Sequence, residues 1–291
     1  MRKWFPLLLA LVIALTGCAG SQSQRETLAC TTYPVYLLAQ TVTRGADGPE
    51  PVLVVDQPLS CLHNYTLTMS DMKLIDEAAA VAINGAGMEE FLEDVLDGRE
   101  CIDCSQGIDL LWNEEEDEPD SHIWLDPGNA AQMALNLADG LSVLDPDNAE
   151  TYRRNAEAAG ERLRALGVEL RESLAPLPCR SLITFHDGFS YFAQAMDLEI
   201  AASVEEEEGS EASARRIQEL TELIDGKSIP AVFTETNGPD ATAKALALER
   251  PVQVAELTML MSSRDNGLTG LNAYEQGMRD NAEAIREAYG Q

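Results

Sequence analysis

The sequence predicts an α/β protein of two lobes with parallel sheets, joined by one long helix. Three observations carry this expectation. Short apolar runs alternate with helical patterns after about residue 26, as in strand–helix–strand units. An unusually long stretch of helical periodicity, 147–175, divides that alternation in two. The same plan restarts beyond Pro178, and both halves place histidine just past a strand or in a loop.

Residues 1–17 read as a secretory signal. Arg2 and Lys3 give a positive start, and Trp4 to Leu15 is an apolar run broken only by Pro6. That run is too short to span a bilayer comfortably. It ends in Leu15-Thr16-Gly17-Cys18, which resembles a bacterial lipobox, so Cys18 is the expected lipidation site. Two acyl chains there suffice for stable anchoring. Residues 18–26 are small and polar and suit a flexible tether.

The first lobe is expected over 27–146. Leu28–Thr32 and Pro51–Val55 read as strands, with Val35–Thr43 helical between them. A helix follows over Thr68–Ala79, which Thr68-Met-Ser-Asp71 can open as a capping box. Ala80–Asn84 reads as a strand, Met88–Leu96 as a helix and Arg99–Cys104 as a further strand. Asp126-Pro127 opens another helix, with Asp as cap and Pro in the first turn.

The linking helix is expected over 147–176, stopped by Pro176 and Pro178. Tyr152, Ala156, Leu163, Leu166 and Leu170 fall on helical spacing. About 28 helical residues span roughly 40 Å at 1.5 Å per residue, long for the interior of one small domain and suited to a strut between two. The second lobe, 177–291, has strands at Ser181–Phe185, Glu199–Val204, Ala231–Glu235 and Val252–Leu257. Its helices fall at Gly188–Met196, Ser210–Ile224 and Leu271–Tyr289.

A formal charge of −30 over 291 residues makes nucleic acid a poor partner, because phosphate binding needs the opposite sign. Such a field attracts cations. Two acidic runs, Glu114–Asp120 and Glu205–Glu208, suit solvated loops or a cation-gathering lip beside a metal cleft. Of six cysteines, one is assigned to lipid. That leaves Cys30, Cys61, Cys101, Cys104 and Cys179, an odd number. Cys101-Ile-Asp-Cys104 fits a local disulfide or two packed thiols better than a redox or zinc motif.

The chain has three histidines, and all sit in segments that look built for metal: Cys61-Leu-His63-Asn-Tyr, Ser121-His122-Ile-Trp-Leu-Asp-Pro127 and Phe185-His186-Asp-Gly-Phe189. Imidazole is the commonest protein ligand for zinc-like ions. In open α/β sheets ligands bind beyond the carboxyl ends of strands. His186 belongs at such an end, and His63 and His122 lie in loops of the first lobe. If the lobes face each other, these loops meet in one cleft. Asp120, Asp126 and Asp187 are available to orient the rings, although the cap of the next helix is the better use of Asp126.

These segments resemble the metal-binding solute receptors of ABC importers, in the zinc and manganese branch. The match to the first family motif is Leu62-His63-Asn-Tyr65-Thr-Leu-Thr-Met-Ser70-Asp71. The second is His122-Ile-Trp-Leu-Asp-Pro127 and the third His186-Asp-Gly-Phe-Ser-Tyr-Phe192. Asn84-Gly-Ala-Gly87, Phe233-Thr-Glu235 and the stretch from Tyr274 to Asn281 also fit, so the likeness covers about residues 26–290. The resemblance implies two Rossmann-like lobes, a backbone helix, little hinge motion, and metal held between the lobes by His63, His122 and His186. Manganese-preferring members carry a carboxylate where His186 stands. Imidazole there suits zinc better than manganese.

The chain departs from the family at the fourth ligand. Thr258 or Met259 falls where an aspartate is expected. Asp265, Glu256, Glu235, Cys61 or water are the alternatives. The resulting expectation is a monomeric, lipid-anchored, extracytoplasmic receptor that delivers zinc to a permease and is not an enzyme. Two alternatives remain: a zinc hydrolase with a three-histidine site and activated water, and a metal-storage or adhesin lipoprotein.

Overall fold

The protein is described by a computed structural model over residues 27–57, 62, 65–113, 117–204, 212–236, 238, 241–263 and 266–290. The signal, Cys18, Cys61, His63 and Asp265 lie outside the described residues.

Two four-stranded sheets form the two lobes. The first contains β1 (Thr27–Cys30), β2 (Glu50–Leu53), β3 (Ala80–Ile83) and β4 (Cys101–Asp103), in the order β2-β1-β3-β4. The second contains β7 (Ser181–Thr184), β8 (Glu199–Ser203), β9 (Ala231–Glu235) and β10 (Gln253–Leu257), in the order β10-β9-β7-β8. Every pairing in both sheets is parallel. β5 (Trp112–Asn113) and β6 (Glu118–Pro119) form a small antiparallel hairpin.

The helices are α1 (Tyr33–Val42), α2 (Met69–Glu77), α3 (Glu93–Leu96), α4 (Pro127–Leu144), α5 (Ala149–Leu174), α6 (Ser190–Ala195), α7 (Ala214–Lys227), α8 (Ala241–Glu249) and α9 (Gly270–Ala288). The predicted capping box is present: the Thr68 hydroxyl accepts from the Asp71 amide, and the Asp71 carboxylate accepts from the Thr68 amide. Asp126 caps α4 through Gly128 N–H at 2.6 Å.

Two elements differ from expectation. Asp145-Pro146 leads into one 3₁₀ turn before α5 begins at Ala149. The linking helix thus starts two residues later than expected from 147, and Asp145 accepts the Tyr152 hydroxyl of that helix at 2.6 Å. The helix expected at Met88–Leu96 is a 3₁₀ turn, Glu90–Leu92, followed by the single turn α3. Its first residues turn inward to make a buried carboxylate contact, described below.

All five residues that predict the strut are buried on α5. Asn155, early in α5, donates to the Val42 and Arg44 carbonyls of the first lobe. Arg171, near its end, donates to the Ala195 carbonyl of the second. α9 packs on α1 and α5 as well as on β10, so the last helix of the second lobe also builds the core of the first. At its N-terminus, Gly270 N–H and Leu271 N–H are accepted by the Gln40 and Thr41 side chains of α1, both at 2.8 Å. These otherwise orphaned amides are thus satisfied across the lobe boundary. A separate apolar cluster, with Ile183, Phe185, Leu220, Ile224 and Val232, lies within the second lobe. Among the described residues, no helix is long and apolar enough to cross a membrane. Cys30, Cys101, Cys104 and Cys179 are free thiols, so Cys101 and Cys104 are unbridged.

Candidate metal centre

His122 lies in the loop from the β5–β6 hairpin to α4, at the start of a 3₁₀ turn, Ile123–Leu125. His186 follows β7, whose pairing extends one step further through Phe185 N–H to the Phe233 carbonyl at 2.9 Å. Each belongs to a different lobe, yet their Nε2 atoms are 3.2 Å apart. The rings are steeply inclined, with centroids 5.0 Å apart and planes at 76°. Two nitrogens bound at about 2.0–2.1 Å to a tetrahedral zinc are themselves roughly 3.3 Å apart. The pair therefore already has the spacing that one ion requires.

His122 is 3% exposed, and its orientation is set by Asp120. One carboxylate oxygen, Oδ1, accepts both the His122 backbone N–H at 2.9 Å and Nδ1–H at 2.8 Å. Holding the proton on Nδ1 leaves the Nε2 lone pair directed at the other ring. The Asp120 carbonyl accepts the hydroxyl of Tyr191 on α6 at 3.1 Å, and the same hydroxyl accepts Leu111 N–H at 2.8 Å. A second-lobe side chain thus holds the first-lobe loop. Burial pushes the Tyr191 phenol up to about 12, so it remains a donor throughout the physiological range. Removing Asp120 as Asp120→Ala should weaken zinc binding by about 10–100-fold, and Asp120→Asn should recover part of that loss. Competition titration with a chelating dye gives the comparison.

Behind this loop stands a buried acid. Glu89 Oε1 accepts the Thr31 hydroxyl at 2.6 Å and Asn84 N–H at 2.7 Å, and Oε2 accepts Gly85 N–H at 3.0 Å. Asn84 Nδ2 in turn donates to the Ser121 carbonyl, one residue before His122, at 3.0 Å. The turn that makes this possible, Gly85-Ala-Gly87, has positive φ at all three residues. At Gly85 a Cβ would collide with the Asp103 carboxylate.

Desolvation raises the Glu89 carboxyl to about 7 from 4.5, outweighing its three donors, and the Asp103 charge adds to the rise. The folded protein therefore keeps this proton to near pH 7, whereas the unfolded chain releases it near 4.5. The stability linked to this group is full below the unfolded value and is lost as pH rises through the folded one. The span corresponds to about 3 kcal/mol. Urea denaturation of zinc-free protein should show a smaller decline between those pH values in Glu89→Gln than in the wild type.

Glu235, at the end of β9, accepts His186 backbone N–H on Oε1 at 3.1 Å and is itself buried. Of the alternative ligands among the described residues, Glu235 is the one that contacts a histidine segment, through the His186 amide. Glu256 is exposed on the outer strand β10. Leu62 and Tyr65, which flank His63 in sequence, are tied together by Tyr65 N–H to the Leu62 carbonyl at 2.9 Å. Leu62 is buried in the core, and the Tyr65 hydroxyl donates to Asp71 at 2.8 Å. Asp126 serves as the α4 cap. No group of three or more metal-ligating residues is complete among the described residues.

Support for this centre comes from Trp124, Tyr274 and Asn281, which lie in stretches that resemble the family. Trp124 is fully buried; its indole N–H donates to the Met259 carbonyl at 2.8 Å, and its own carbonyl accepts the Tyr274 hydroxyl at 2.6 Å. Asn281 of α9 clamps Thr258, accepting its N–H at 2.7 Å and donating to its carbonyl at 2.9 Å. The segment after β10 is thereby fixed against the first lobe.

Comparison with known proteins gives a consistent result. The family described as zinc-uptake complex component A, periplasmic (ZnuA), matches residues 28–288. The zinc-binding lipoprotein AdcA of Streptococcus pneumoniae is 26% identical over 309 residues, covering 99% of this chain and 61% of AdcA. This chain thus spans about three fifths of that relative's length. The high-affinity zinc uptake system protein ZnuA of Brucella abortus is 24% identical, with 99% of each chain covered. Among solved structures, a crystal structure of ZnuA is 27% identical with a TM-score of 0.77, covering 91% of this chain and 100% of that one. A Zn(II)-bound mutant variant of AdcAII from Streptococcus pneumoniae shares the fold at 24% identity, with a TM-score of 0.78 over 90% of this chain and 98% of that one. With an interlobe histidine pair, two parallel four-stranded sheets and a match over residues 28–288, the chain belongs to the family described as zinc-uptake complex component A, periplasmic (ZnuA).

Proposed function

We propose that this protein captures a divalent transition metal, zinc ahead of manganese, outside the membrane and delivers it to the permease of an ABC importer. The ion is cargo and undergoes no chemistry. The observation that carries this reading is the pair of Nε2 atoms from opposite lobes, 3.2 Å apart, one of them oriented by a buried aspartate. His63 is assigned the third nitrogen, supported by the anchoring of its sequence neighbours Leu62 and Tyr65. Glu235 is assigned the oxygen, in preference to Cys61, Glu256 or Asp265, because it already contacts the His186 amide. Lipidation at Cys18 tethers a monomer to the membrane, close to the permease. The names of the relatives, zinc-binding lipoprotein and zinc uptake protein, support the same assignment.

Equilibrium dialysis of the purified protein should find one tightly held zinc per chain at about pH 7.5, with affinity falling in acid, because protonated imidazole cannot bind metal. Several weakly held ions would point to storage instead. Zinc-dependent turnover of ester or phosphate substrates would point to a hydrolase.

A further inference from the structure

The histidine pair has a third neighbour that offers neither nitrogen nor oxygen. Met259 follows β10 and is 3% exposed. A Cβ built on Gly188 would collide with Met259 Cε while lying 2.9 Å from His186 Cδ2 and 3.1 Å from His122 Cδ2. In each imidazole Cδ2 is bonded to Nε2. The Met259 methyl and both Cδ2 atoms thus surround one point beside Gly188, which places the thioether near the Nε2 sides of the rings, and glycine at 188 is what leaves this space open.

This placement is held from several sides. The Met259 carbonyl is fixed by the Trp124 indole. Thr258 is clamped by Asn281, and its hydroxyl accepts Leu260 N–H at 3.1 Å. Leu260 adopts φ +58°, a left-handed conformation that is uncommon outside glycine. Leu260 also fills the space against Gly277 of α9. The backbone on both sides of Met259 is fixed in this way, so the residue that fills this flank is set by the fold.

We propose that Met259 determines which ion the site accepts, by closing this flank of the histidine pair with an apolar, polarisable group. The proposal rests on the reading that His122 and His186 hold the ion. With water and carboxylate oxygen kept from this flank, coordination stays low in number and rich in nitrogen. That suits four-coordinate zinc. It disfavours manganese, which prefers six ligands, most of them oxygen.

The test compares zinc and manganese affinities, by competition titration, in wild type, Met259→Asp and Met259→Leu, with His186→Ala as control. Met259→Asp puts oxygen on the flank and should shift the manganese-to-zinc affinity ratio upward by about tenfold or more. Met259→Leu restores an apolar side chain of similar volume and should keep the ratio near the wild-type value. An unchanged ratio in Met259→Asp overturns the proposal, and so does an equal shift in Met259→Leu, which would mark a packing effect. If His186→Ala binds zinc as tightly as wild type, the histidine site itself is wrong, a failure distinct from that of Met259.

Discussion

His186→Ala should lose zinc binding by about a thousandfold or more, equivalent to roughly 4 kcal/mol. The reason is geometric. His122 and His186 already stand at the separation of two ligands on one tetrahedral ion, so binding requires little reorganisation of either lobe. Deleting one removes a bond to the metal, whereas deleting Asp120 only disturbs the aim of a ligand that remains. The ligand variant should therefore fall well below Asp120→Ala in affinity. His186 is only partly buried, so its loss should barely affect folding of the metal-free protein. Thermal denaturation separates the two effects. Wild type gains about 2.7 kcal/mol when free zinc is a hundredfold above its dissociation constant. His186→Ala should melt near the wild-type temperature without zinc and show little gain with it. An undiminished zinc-induced gain in that variant would refute the site.

Much of this arrangement is legible in the sequence because the informative signals are local. The capping box at Thr68, the Asp126-Pro127 helix start and the burial line on α5 each depend on a few neighbouring residues, and each is present. His122 and its Asp120 partner are two residues apart, so the group that orients the ring is also within local reach. The convergence of His122 and His186 needs the two-lobe topology as an intermediate step, which the restart of the α/β pattern supplies.

What the sequence leaves unread is non-local or pattern-poor. The Ala241–Glu249 helix distributes alanine and leucine around its circumference, so no face declares itself. Glu89 falls in the stretch expected as the Met88–Leu96 helix and looks like an ordinary charge there, but it turns inward to accept the backbone N–H groups of Asn84 and Gly85 at the Gly85-Ala-Gly87 turn. Met259 reads as a missing aspartate, whereas its methyl end lies beside Gly188, where the edges of both rings also meet. Trp124 meets Met259 at a separation of 135 residues and Tyr274 at 150, distances over which no periodicity reports a contact.

Trp124→Ala should cost the metal-free protein roughly 4–8 kcal/mol, the sum of two losses. Emptying a fully buried large aromatic site accounts for about 3–5 kcal/mol. The Met259 carbonyl then loses its indole donor inside the core, which adds about 1–3 kcal/mol where relaxation or water cannot compensate. Trp124 joins the 3₁₀ turn beside His122, the segment after β10 and the start of α9, so the damage reaches both lobes at once. Its ring also lies 5.3 Å from that of His122, so the histidine loses a packing wall. Trp124→Phe separates the contributions: it keeps much of the apolar volume but not the N–H, and should lie between wild type and alanine. Urea denaturation gives the stabilities, and zinc titration of the folded fraction gives the affinities. Both should fall in the alanine variant, because the contact that stabilises the lobe boundary also fixes the Met259 carbonyl and the His122 ring. A loss below about 1 kcal/mol, typical of a surface substitution, would mean that this indole is not the joint between the lobes.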